Sequence, residues 1–579
     1  MAPRVWDTGL GHLSRDVKKN ALYNQGIKCR WRRGWDSNPR YLAVRLISNQ
    51  VHSTTLPPLR GTEIISQQMR WIKRLLTFSG LLIAASCGDV GSRLPFPTPA
   101  QHDLVVLTSP GLMTYATDEN GNPGGLEYDL TQAFAQELGV GVKYLVAEPD
   151  DLENQLGKER YHLAAAWLAP QADSGNQATP AIFQTRDILA QHEATLPLTE
   201  LSQLAGKTVH VMAGSRQAVT LERLKAQLPG MTVVEIGQGD VLDLLEKLGN
   251  RQIDYVAIDE SVEDIANQHI PNLRTTLPLG KTTPVVWLLG THPNAELKAR
   301  LDSFIERVQH DGTLARLEDR YLGHVRRLEQ PDIVKFLGEI ETTLPKFRKY
   351  FQAAQALTGL DWRLIAAIAY HESHWDPNAT SYTNVRGIMM LTEETADRLE
   401  VSNRLDPSES ILAGARYVNL LKEQLSEDVA EPDRTWLALA AYNIGPGHLN
   451  TARTLARQLK ADPNSWYEMK SILPKLAQPK IYQQLKTGRA RGGEAVILVE
   501  NIRSYYDILQ RNAQPFAPTP RSAEGLKQLV IEVEERRKAY VKRTAAARSI
   551  SGLDGTTDPG LKLPATGSIP GFASATDSD

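Results

Sequence analysis

The stretch RLIAAIAYHESHWDPNATSYTNVRGIMMLT, residues 363–392, decides how the second half of the chain is read. Apolar residues predict a helix from Trp362 to about His374, with Asp361 as its N-cap and Pro377 ending it. Ile365, Ile368 and Glu372 fall on one face of that helix, so a carboxylate shares the core-facing stripe, with nothing basic on that stripe within one turn. A carboxyl desolvated among apolar groups has a raised pKa and holds its proton near neutral pH, as a general acid must. The competing reading is a helix-end glutamate that turns to solvent.

Working outward, the pattern is almost entirely helical from Gln330 to about Asn512. LALAAYNIGPGHL (437–449) puts Tyr442 and Asn443 at the end of an apolar helix before a Gly-Pro-Gly break, and LVENI (498–502) opens a last core helix. Upstream the period changes. From DLVVLT (103–108) to DGTLARLEDRYLG (311–323), strand-like apolar runs alternate with amphipathic helices, as in an α/β domain with helices packed on a sheet.

The expected architecture is therefore multidomain: an α/β two-lobed domain over 102–323, a linker helix over 324–344, and a mainly α domain over 345–512. A helical tail over 513–548 and a disordered Gly/Ser/Thr/Pro-rich terminus over 549–579 complete it. At the other end, MRWIKRLLTFSGLLIAASCGDV places Arg70, Lys73 and Arg74 before an apolar run from Leu75 to Ala85, too short to span a bilayer and read as a secretory signal over 69–86. Met69 is the expected true start, with residues 1–68 a non-native upstream extension, and a Pro-rich tether follows over 87–101.

The near-neutral formal charge of −2 hides an asymmetry. The first 86 residues hold 14 Lys and Arg against 4 Asp and Glu, which leaves the remainder about 12 charges negative and without a footprint for nucleic acid. Cys29 and Cys87 are the only cysteines, so once the signal is removed neither a disulfide nor a thiol metal site is available. His371 and His374 flank Glu372 in HESH, but they stand at i and i+3, whereas the zinc motif needs i and i+4. No metal or cofactor is expected.

Two family resemblances sharpen this reading. GLEYDL (125–130), LAGKTVHVMAGS (204–215), NRQIDYVAIDE (250–260) and DGTLARLEDRYLG, in that order, resemble bacterial extracellular solute-binding proteins of the amino-acid-binding type. The resemblance implies two α/β lobes around a ligand cleft, with Glu127, Asp129 and Asp259 as regulatory ligand-binding candidates. Asp259 reads equally well as a helix N-cap. WLAPQADSGNQATP (167–180) departs from that family in lacking the arginine that grips a ligand carboxylate.

ESHWDP, the GIMML loop and AYNIGPG resemble lytic transglycosylases of the goose-type lysozyme fold, over about 345–510. The resemblance implies a lysozyme-like domain that cleaves the β-1,4 bond between N-acetylmuramic acid and N-acetylglucosamine of peptidoglycan glycan strands and leaves a 1,6-anhydro ring. Glu372 would be the acid and then the base, with Ser373, Ser381, Met389, Met390, Tyr442 and Asn443 as substrate-binding candidates. Met390 stands where most of that superfamily has glutamine. Each candidate also has a plainer reading: Tyr442 as a core aromatic, Asn443 as a C-cap, Ser381 as a turn residue.

IAASC resembles a bacterial lipobox, which implies acylation of Cys87 and a mature protein held on the periplasmic face of the outer membrane. The effector expected for the first module is a muropeptide or an amino acid. Two other functions compete: a periplasmic sensor lipoprotein that holds glycan without cutting it, and a hydrolytic lysozyme.

Overall fold

The computed structural model describes residues 94–117, 121–170, 175–517 and 520–550. The expected extension 1–68, signal 69–86, acylated Cys87 and terminus beyond 550 lie outside the described residues.

Among the described residues, nine main strands follow one another as β1 (Leu104–Thr108), β2 (Val142–Val146), β3 (Leu163–Leu168), β4 (Asp187–His192), β5 (Thr208–Met212), β6 (Thr232–Ile236), β7 (Tyr255–Asp259), β8 (Leu273–Pro278) and β9 (Thr283–Leu289). They form two sheets. The first has the order β2-β1-β3-β9, and the second β6-β5-β7-β4-β8. In the first, β1 runs parallel to β2 and β3, while β9 returns antiparallel to β3. The chain leaves the first lobe between Thr185 and Asp187 and re-enters it between Pro278 and Thr283, which makes two lobes joined by two crossings.

β9, with five consecutive buried residues, reads as a continuous apolar run because helices cover both faces of its sheet. Trp287 on β9, Phe304 on helix Ala295–His310 and Phe134 on helix Leu126–Leu138 build the first lobe's core. Residues 94–101, expected to belong to a free tether, are fastened to this lobe. Phe96 packs on its core, and the Pro95 carbonyl lies 2.8 Å from His162 Nε2.

The second half is a helical domain with one core, running from helix Gln330–Thr342 to helix Gly492–Asn512. The expected linker helix is part of this core: Ile333, Phe336 and Ile340 are buried in it, and Phe336 packs against Tyr370 and Trp375, with ring centroids 4.3 and 5.5 Å away. Its i, i+3, i+7 apolar spacing was available in the sequence, but the partner that covers it lies far along the chain. The tail, helix Pro520–Ile550, docks on the same domain through Leu526 and Val533 and is clamped by Arg536 to Asp406 (3.0 Å) and Arg537 to Glu400 (3.0 Å).

Both α/β lobes rest on helix Gly492–Asn512. Arg503 donates to the carbonyls of Asp319 (3.1 Å) and Arg320 (2.8 Å) at the end of the first lobe's last helix. Arg511 reaches Asp243 and Glu246 (2.8 Å each) on the second lobe. Gln268 of that lobe donates to the Ser504 carbonyl at 3.0 Å. Side chains from both lobes are thus tied to one core helix of the helical domain. Among the described residues, no helix is long and apolar enough to cross a membrane.

Candidate active site

Helix Trp362–Ser373 carries the site. Asp361 caps it by accepting from the Arg363 N–H at 2.8 Å, and Ile365 and Ile368 are wholly buried on the face that Glu372 shares. The helix ends at His374 in the left-handed region, and Trp375 is pinned behind it by Nε1 donating to the Ala366 carbonyl at 2.8 Å.

Glu372 is half-buried and, among the described residues, receives no hydrogen bond or ion pair. It keeps an opening to solvent, yet burial pushes its carboxyl up to about 8, with no charged neighbour contributing. Such a group is protonated at neutral pH and can give its proton away. His371 beside it is pushed down to about 4, first by burial and then by His374, so the flanking imidazole is neutral.

A loop is held against the end of this helix from two sides. Ser373 Oγ lies 2.8 Å from the Ile388 carbonyl, and Tyr442 Oη donates to the Met389 carbonyl at 2.8 Å. Tyr442 is buried, and its hydroxyl is pushed far up, first by burial and next by the charge of Glu372, which places phenol and carboxyl in one neighbourhood. Gly387 makes the loop possible. It has φ +83°, and a Cβ there would overlap the Arg404 carbonyl oxygen.

Several expected substrate contacts are turned elsewhere. Met389 is fully buried, its side chain packed against Gly414, so it supplies a backbone acceptor and not a side chain. Met390 is 8% exposed and sits at φ +45° at the turn, where it replaces the expected amide with an almost buried thioether. Ser373 fastens the loop and does not orient Glu372. Ser381 Oγ accepts from the Val385 N–H (3.1 Å) and pairs with Thr383 (2.9 Å), which makes it a turn residue. Asn443, half-buried, has no side-chain partner among the described residues and keeps its amide available.

The expected ligand acids of the first module are likewise occupied. Glu127 is buried and accepts from the Trp167 N–H (2.8 Å) and Trp287 Nε1 (3.0 Å), and burial pushes it up to about 7. Asp129 accepts from Tyr321 Oη and Arg320, both at 2.9 Å, on a helix contact. Asp259 caps the short helix Glu260–Val262 and also accepts from Thr185 (2.6 Å), Trp167 Nε1 (3.1 Å) and Arg216. Trp167 lies on the first lobe and Asp259 on the second, so this hydrogen bond crosses between them. Arg216, on whose other side lies Asp187 at 2.7 Å, had no signal in the sequence, because nothing local ties a helix-start arginine to acids 29 and 43 residues away.

The family model described as Transglycosylase SLT domain matches residues 349–464, and that of Bacterial extracellular solute-binding proteins, family 3, matches residues 104–324. An ancestral arginine-binding protein bound to arginine is 20% identical, with a TM-score of 0.35, and covers 38% of this chain and 98% of its own. A membrane-bound lytic murein transglycosylase F of Methylobacillus flagellatus is 39% identical over 453 residues, covering 77% of this chain and 96% of its own. One from Nitrosospira multiformis is 41% identical over 453 residues, covering 78% of this chain and 94% of its own. With a solute-binding module, a transglycosylase module and relatives matched over nearly their whole length, the chain belongs to the membrane-bound lytic murein transglycosylase F family.

Proposed function

We propose that this lytic transglycosylase cleaves the β-1,4 bond between N-acetylmuramic acid and N-acetylglucosamine in peptidoglycan, with Glu372 as its single acid and base. The observation that carries the reading is a half-buried carboxyl at the end of helix Trp362–Ser373, near Tyr442 and without a hydrogen-bond or ion-pair partner among the described residues, which burial pushes up to about 8. It enters the reaction protonated and gives that proton to the leaving glycosidic oxygen. Once ionised, it takes the proton of the muramyl C6 hydroxyl as that oxygen closes on C1. A retaining glycosidase would hold a second carboxylate at roughly 5 Å, where its charge would add to the shift of the first. Burial stands as the one cause for Glu372, which speaks against a closely spaced retaining pair and is compatible with internal ring closure.

Tyr442 holds the loop through Met389 and lies beside the carboxyl, and Asn443 offers the free amide for the sugar. Digestion in heavy-oxygen water tests the reaction: anhydromuropeptides without label are expected, and labelled reducing ends would overturn it.

The solute-binding module takes a small ligand, and a muropeptide or amino acid entering between its lobes would meet the Arg216–Asp259 pair there. A signal over 69–86 and an acyl anchor at Cys87 would place the enzyme on the periplasmic face of the outer membrane. The basic flank, the short apolar run and IAASC support that placement. Metabolic labelling with an alkyne fatty acid, compared with Cys87→Ala, tests it.

A further inference from the structure

Apart from Arg386, the buried and half-buried arginines of the transglycosylase core have partners among the described residues. Arg363 pairs with Asp361 at 2.6 Å, Arg503 with Glu500 at 2.9 Å and Arg416 with Glu534, while Arg404 donates to the carbonyls of Asn384 (2.8 Å) and Leu391 (3.1 Å). Arg386 differs. Its backbone closes the active-site loop: its N–H donates to the Leu391 carbonyl (3.1 Å), and its own carbonyl accepts from Leu391 N–H (2.9 Å). Between these two residues lie Gly387, Ile388, which meets Ser373, and Met389, which meets Tyr442. The Arg386 side chain is half-buried and its Nε is sealed from solvent, yet among the described residues no acceptor reaches the guanidinium.

A permanently charged, partly dehydrated guanidinium without an acceptor is an unfavourable resting state, and a carboxylate engaging its planar fork would relieve it. The substrate carries such groups, because each muramic acid bears a peptide stem with free carboxylates.

We propose that Arg386 binds a stem-peptide carboxylate beside the scissile bond, making the enzyme selective for glycan strands that carry charged stems. This rests on the murein reading of the Glu372 site and adds a specificity residue to it.

The test pairs two substrates with three proteins. Intact sacculi and sacculi whose free carboxylates have been amidated are offered to the parent, Arg386→Gln and Arg386→Lys. Anhydromuropeptide release is measured, and co-sedimentation is measured in the Glu372→Gln background. Amidation should lower the parent's kcat/KM and its binding by about tenfold or more, the worth of one charge-assisted pair. Arg386→Gln should show that loss already on intact sacculi, lose nothing further on amidation, and match the parent on amidated sacculi. Arg386→Lys, with the charge and without the fork, should fall between. Parent-like behaviour of Arg386→Gln on intact sacculi would overturn the proposal. So would a deficit on amidated sacculi, which marks a scaffold role, or losses that multiply. If the parent releases no anhydromuropeptides from either substrate, the murein reading fails, and the co-sedimentation arm still decides Arg386.

Discussion

Replacing Glu372 with glutamine removes an ionisation that the fold resists, so the variant should be more stable than the parent at alkaline pH. In the unfolded chain the group ionises near 4.5, and in the folded protein near 8. Between those values the native state holds a proton that the unfolded state has lost, and stability falls as pH rises through the window. At about 1.4 kcal/mol per pKa unit, the full shift bounds the loss at about 5 kcal/mol. The carboxyl keeps an opening to water, which reduces this to about 2–3 kcal/mol. Glutamine fills the same space without the charge. The parent and Glu372→Gln should therefore unfold together near about pH 4 and diverge to about 2–3 kcal/mol by about pH 8.5, with the variant the more stable. Urea titrations that follow the helical domain's transition across this range read the difference. A gap that stays constant with pH, or one that favours the parent at high pH, would refute the reasoning.

Other expectations follow from single contacts. Tyr442→Phe deletes the hydroxyl that holds the Met389 carbonyl and should lose about 1–3 kcal/mol in urea titration, together with a fall in kcat on sacculi. Gly387→Ala drives a Cβ into the Arg404 carbonyl at φ +83°; the loop should lose its seat and anhydromuropeptide release should drop at least about tenfold, with about 1–3 kcal/mol of strain visible in the melt. Arg216→Met leaves Asp187 and Asp259 buried without their cation and should destabilise the solute-binding module by about 3–5 kcal/mol, seen as a lowered transition for that module in calorimetry. Because Arg536 and Arg537 clamp the tail through partly exposed ion pairs, limited proteolysis within helix Pro520–Ile550 should speed up between low and about 0.5 M salt and stay unchanged if apolar packing alone holds it.

Much of the architecture was legible because it is periodic. Two-residue and 3.6-residue patterns separate the α/β module from the helical one, and the cap at Asp361 and the break after His374 bracket the helix that bears Glu372. The place of that glutamate on a buried face was also legible, since Ile365 and Ile368 share the face and nothing basic stands on that stripe within one turn, but the sequence leaves open a turn to solvent. What did not show was which way side chains turn once distant elements meet. GIMML marks a loop, but whether Met389 faces substrate or core depends on Gly414, 25 residues further on, and the answer is the core. Asp259 stands where a ligand acid is expected, while the partners that occupy it come from residues 167, 185 and 216. The segment 324–344 reads as a linker because the partners of its apolar face, Tyr370 and Tyr505, stand on elements that propensity cannot connect to it. Arg386 left no trace in the sequence, for an arginine in a loop is ordinary until its neighbours are seen to offer it no acceptor.

The central claim is that one carboxyl, Glu372, performs the whole acid and base cycle and that the muramyl C6 hydroxyl displaces the leaving sugar. The most direct measurement is mass spectrometry of the products released from purified sacculi by the parent and, in parallel, by Glu372→Gln. The account predicts 1,6-anhydromuropeptides from the parent and none above background from the variant, which should still bind the sacculi. Reducing-end muropeptides from the parent, or anhydro products at the parent's rate from the variant, would contradict it.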